Sequence, residues 1–62
     1  MILENEIYLV DETARYFKIN EDSVRKLIKE GKLKAFKLGK GYRITGESIL
    51  NLVKENTVIK NG

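Results

Sequence analysis

The amino-acid sequence predicts a mostly α fold with a small β-hairpin, in the order helix, helix, hairpin, helix. Three observations predict it. Apolar residues recur three and four apart before Gly31, the spacing drops to two between Leu33 and Leu38, and Gly39-Lys40-Gly41 then offers the glycines of a tight turn. A chain of 62 residues makes one domain, with a core over about 7–56 and a tail at 57–62.

Ile7, Leu9 and Val10 open the fold as a short apolar stretch. A first helix from roughly Asp11 to Lys18 follows, because Val10, Ala14 and Phe17 share one face. Asp11 and Glu12 suit its start, where carboxylates meet unpaired backbone N–H groups and the positive end of the helix dipole. Lys18-Ile19-Asn20 breaks the pattern: Ile19 is expected to point inward and Asn20 to cap a second helix. In that helix Val24, Leu27 and Ile28 form the buried stripe, leaving Asp22, Arg25, Lys26 and Lys29 outward until Gly31 ends it. Two helices joined by so short a turn read as a helix-turn-helix.

Beyond Gly31 the alternation puts Lys34, Phe36 and Leu38 on one side of an extended run and Leu33, Ala35 and Lys37 on the other. Both glycines of Gly39-Lys40-Gly41 are expected to supply positive φ, and Tyr42-Arg43-Ile44-Thr45 forms the return strand of a two-stranded wing with a basic tip. Thr45 or Ser48 caps a last helix whose apolar face is Ile49, Leu52 and Val53, with Leu50 on a partial second face, fading near Asn56. Phe17 and Phe36 are assigned to the core, since so small a domain spares few large apolar groups. Val58 and Ile59 in the tail are read either as plain tail or as a sticky segment for a neighbouring subunit.

Composition narrows the function. Without cysteine there is no disulfide framework, thiolate metal site or cysteine nucleophile, and without histidine the usual neutral-pH acid/base group and metal ligand is missing. Binding rather than catalysis is expected, with no cofactor, no metal and no small-molecule ligand. The turn Gly39-Lys40-Gly41 fits neither a Walker loop nor a dinucleotide fingerprint and lies between strands rather than before a helix, which argues against nucleotide binding. No signal-peptide pattern and no long apolar run occurs, so the expected location is cytoplasmic and nucleoid-associated, with no membrane partner.

The formal charge of +3 is unevenly spread. Between Arg25 and Arg43 eight basic residues face only Glu30, a net of +7, and the remainder of the chain carries −4. Such a contiguous basic third is the electrostatic footprint expected for a nucleic acid. The outward residues Ser23, Arg25, Lys26 and Lys29 are candidates for base or phosphate contacts, because the second helix of a helix-turn-helix enters the major groove. Lys37, Lys40, Tyr42 and Arg43 are the hairpin's candidates for backbone or minor-groove contacts. Glu21 and Asp22 either complement the helix dipole or accept from cytosine N4.

The run Leu27-Ile28-Lys29-Glu30-Gly31-Lys32-Leu33, followed by Ala35-Phe36-Lys37-Leu38-Gly39 and Tyr42-Arg43-Ile44, resembles the excisionase-type winged helix-turn-helix. That family is a relative of the DNA-binding domain of mercury-resistance-type (MerR) regulators, and the likeness covers about Ile7 to Val53. The resemblance implies non-enzymatic binding of double-stranded DNA, helix two in the major groove and the wing over the adjacent minor groove or backbone. Ser23, Arg25 and Lys26 match the family's recognition-helix surface, and Lys37, Lys40 and Arg43 match its wing.

Members of this length resemble excisionases, recombination directionality factors of phages and mobile elements. They bind cooperatively side by side, bend attachment-site DNA and bias a tyrosine or serine integrase toward excision. Others are small transcription regulators with the same binding mode. A reading of another class is a phage-type interaction module gripping an acidic protein partner. Two departures stand out. Leu9 occupies a position where the family often has a capping Thr, so the first cap comes from Asp11 or is absent; Glu21 and Asp22 stand where basic or small hydroxyl residues are common.

Overall fold

The computed structural model describes residues 1–58. Its elements run β1 (Ile7–Leu9), α1 (Val10–Phe17), α2 (Glu21–Lys29), β2 (Phe36–Leu38), β3 (Gly41–Thr45) and α3 (Gly46–Asn56). Three helices and a small antiparallel sheet make a helix-turn-helix with a wing, the predicted fold class.

Of the two expectations for the start of the first helix, the second holds: no side chain caps it, and Asp11 does not serve. Leu9 is the N-cap and brings no side-chain acceptor; instead Glu12 Oε1 reaches back to accept from the Leu9 N–H at 2.9 Å, the reciprocal half of a capping box. Asp11 is drawn off to Arg15, 3.0 Å away. The helix ends at Lys18 in the left-handed region, φ 61°, where the N–H groups of Lys18 and Ile19 close back onto Arg15 and Ala14. An apolar residue just past such a terminus lies over the last helical turn, so Ile19 stays 38% exposed instead of pointing into the core. Asn20 caps α2 as predicted, its Oδ1 accepting from the Ser23 N–H at 2.8 Å. Gly31, φ 77°, turns the chain away at the other end.

The sheet has three strands in the order β1-β3-β2, not the two expected. The opening apolar stretch pairs as an extra strand, Tyr8 against Ile44 and Leu9 against Arg43, while β2 sets Phe36 against Arg43 and Lys37 against Tyr42. Directly paired residues share a face. One face thus carries Tyr8, Ile44, Tyr42 and Lys37, and the other Leu9, Arg43 and Phe36. Because Ile44 is fully buried, the parity sends Phe36 outward, where it is 46% exposed, and the core assignment of Phe36 is corrected. Phe17 packs against the core as expected.

That core is Val10, Ala14, Val24, Leu33, Ile44, Ile49 and Leu52. Buried Thr13 is satisfied by donating to the Leu9 carbonyl at 2.9 Å. In α3 the inward stripe is Gly46, Ile49 and Leu52; Val53 is turned about 100° from Leu52 and lies at the rim, half out of the face assigned to it. Thr45 is the cap, its Oγ1 accepting from the Ser48 N–H at 3.1 Å. Val58 is exposed, and residues 59–62 of the predicted tail, Ile59 among them, lie outside the described residues.

The chain start is strapped across the beginning of α3. Gly46 N–H donates to the Glu6 carbonyl at 2.8 Å, Glu47 N–H to the Glu4 carbonyl at 3.2 Å, and Leu3 N–H to the Tyr8 hydroxyl at 2.9 Å. A Cβ on Gly46 would overlap the Leu3 carbonyl. Gly46→Ala is therefore expected to cost about 1–3 kcal/mol by overpacking, and Asn20→Ala about 1 kcal/mol through the lost cap, both read by urea unfolding.

Candidate nucleic-acid interface

Helical geometry separates the sides of α2. Val24 is fully buried and Leu27 and Ile28 pack against the core, so the stripe Glu21, Arg25 and Lys29, spaced four apart, is left on the flank toward the wing. Asp22 and Lys26 point further out, and the Asp22 side chain is 95% exposed. Ser23 is turned to the opposite flank, half-buried beside the cap. α2 packs on α1 while α1 packs on β3, so a gap remains between α2 and the hairpin.

That gap is a groove of about 640 Å³. Arg25 and Lys29 line it from α2, and Lys37, Lys40, Tyr42 and Arg43 from the hairpin and its turn. Six of the eight candidate residues, separated by up to 18 positions in sequence, thus meet on one concave surface. Ser23 and Lys26 stand outside it.

The hairpin side is built by specific contacts. Lys37 Nζ lies 5.6 Å from the centre of the Tyr42 ring, a cation–π arrangement that holds the ammonium over the half-buried aromatic. Arg43 Nη1 donates to the Tyr42 carbonyl at 3.3 Å. The two turn glycines have different duties. Gly39, φ 67°, alone takes the left-handed conformation expected of both. Gly41 gives room, since a Cβ there would sit 3.0 Å from Arg43 Nη1.

On the helix side Arg25 is already engaged. Its Nη2 donates to Glu21 Oε1 at 3.2 Å and its Nη1 to Asp22 Oδ1 at 3.0 Å. From the sequence both carboxylates suit the helix dipole or cytosine; in the structure both pair with Arg25. The signal was present, since residues three and four apart on a helix are neighbours. Asp11, a helix-start residue by sequence, also lines the groove.

Comparison with known protein families decides the class: the family model described as a helix-turn-helix domain matches residues 7–57. The chain belongs to the helix-turn-helix domain family. DNA binding follows from that membership, and domains of this family are typically non-enzymatic. No curated protein and no solved structure gives a significant match. Within this helix-turn-helix, α1 and α2 are the paired helices and the β2–β3 hairpin is the wing. Among the described residues no helix is long and apolar enough to cross a membrane.

Because the ion pairs of Arg25 are exposed to solvent, they add little to stability. Asp22→Asn is expected to shift the unfolding free energy by less than about 1 kcal/mol and to leave the helical circular dichroism unchanged.

Proposed function

We propose that this helix-turn-helix protein is a sequence-specific double-stranded DNA-binding protein that acts as an excisionase, a recombination directionality factor of a phage or mobile element. The convergence of Arg25, Lys29, Lys37, Lys40 and Arg43 on one groove between α2 and the wing carries the DNA-interface part of this reading. A groove so lined suits a phosphate backbone running between a major-groove helix and a wing on the adjacent backbone or minor groove. Ser23, Arg25 and Lys26 lie on or beside the exposed surface of α2 and are the proposed contacts within the major groove. Lys29, Lys37, Lys40 and Arg43 supply phosphate contacts, with Tyr42 supporting Lys37.

The excision role is supported by the likeness of Leu27 through Ile44 to excisionase-type domains. One short helix and one small wing offer a modest footprint, so cooperative binding to repeated sites, with bending of the DNA between them, is the mode that follows. An integrase is the proposed protein partner at the attachment site.

Four to six neutralised phosphates per protomer give a log–log salt slope of roughly −3.6 to −5.4 in a mobility-shift titration on attachment-site duplex. Lys40→Ala and Arg43→Ala are each expected to flatten that slope by about 0.9. Absence of any shift at micromolar protein would sink the proposal.

A further inference from the structure

We propose that Glu21 and Asp22 determine specificity by holding Arg25 away from the phosphate backbone, so that its guanidinium reads a base edge. The inference rests on the DNA-binding reading and assigns Glu21 and Asp22 a task beyond complementing the dipole at the start of α2.

The geometry carries it. Arg25 Nη2 is bonded to Glu21 and Arg25 Nη1 to Asp22, and the three side chains together carry a net −1. The two bonds use one hydrogen on each terminal nitrogen and leave the other N–H groups available for a bidentate contact. A phosphate approaching those free donors also approaches two carboxylates. The edge of a guanine carries no formal charge and meets much weaker repulsion, while its O6 and N7 match the guanidinium fork.

The basic groups elsewhere in the groove carry no such restraint. Lys37 is held over Tyr42 and Arg43 by a backbone carbonyl, both neutral partners that leave the cation's charge uncompensated. Sequence-independent affinity therefore comes from the wing cations and Lys29, and discrimination from Arg25. Asp22, 95% exposed, is the more outward of the two carboxylates, and Glu21 lines the groove itself. Each therefore meets an incoming backbone from a different side of the guanidinium.

The test uses the full chain and two duplexes of equal length, one enriched from a random pool by the wild type and one scrambled from it. Wild type, E21Q, D22N, the double variant E21Q/D22N and R25A are titrated on both at two salt concentrations, with circular dichroism to confirm folding. The double variant is expected to bind the scrambled duplex roughly three- to tenfold more tightly, with a salt slope steeper by about 0.9 as the freed Arg25 takes a phosphate. Its preference for the enriched duplex falls accordingly, and each single variant moves part of the way. R25A is expected to lose affinity for the enriched duplex and keep it for the scrambled one.

An unchanged preference and slope in the folded variants would overturn the inference, as would an equal loss on both duplexes for R25A. Both results leave DNA binding itself intact. A wild-type chain that binds neither duplex overturns the DNA reading, and this inference with it.

Discussion

Strand β3 holds the wing to the helix-turn-helix, and everything the groove does depends on it. It is hydrogen-bonded on both sides, to β1 and to β2, and both α1 and α3 pack against it. Ile44 within it is fully buried. A domain of this size buries only about 60% of its unfolded surface, so it has little redundancy in its core. With α1 packed on both α2 and β3, a single layer of apolar contacts sets the distance between the basic stripe of α2 and the basic hairpin. Like charges placed on such rigid elements stay near one another without a ligand, because the backbone pairing and the core hold them there.

The charge of that surface is lower than the linear sequence indicates. Along the chain, the segment from Arg25 to Arg43 carries a net +7. In the groove, Asp11 and Glu21 line the same surface as five basic residues, for a net +3. Folding brings the acidic start of α2 and the first helix into the basic field. The result is a positively charged groove in which, among the described residues, Arg25 is ion-paired and the other lining cations are not.

Much of the fold was legible in the sequence because local chemistry sets it. Asn20, Gly31 and Thr45 are caps or terminators whose identity and position suffice, and the three-and-four spacing of α2 leaves no other face to bury. The errors were non-local. Ile7–Leu9 has no partner within reach of local pattern, so its pairing with β3 was invisible. Phe36 turns outward because the β2–β3 register sets it opposite Arg43, one residue from buried Ile44. Hydrophobicity alone points Ile19 and Val53 inward, but helix geometry at a terminus and at a rim leaves both partly exposed. The site was legible as a charge run. Its division into a restrained Arg25 and unrestrained wing cations was not, because it depends on which side chains face one another across the gap and along α2.

The groove between α2 and the wing is the proposed DNA surface, and amide chemical-shift mapping during titration with duplex DNA is its sharpest test. Amides of Glu21 to Lys29 and of Gly39 to Arg43 are expected to move together along one binding curve, while those around Phe17, Leu52 and Val53 stay in place. Shifts confined to the latter group, or to only one side of the groove, would contradict it.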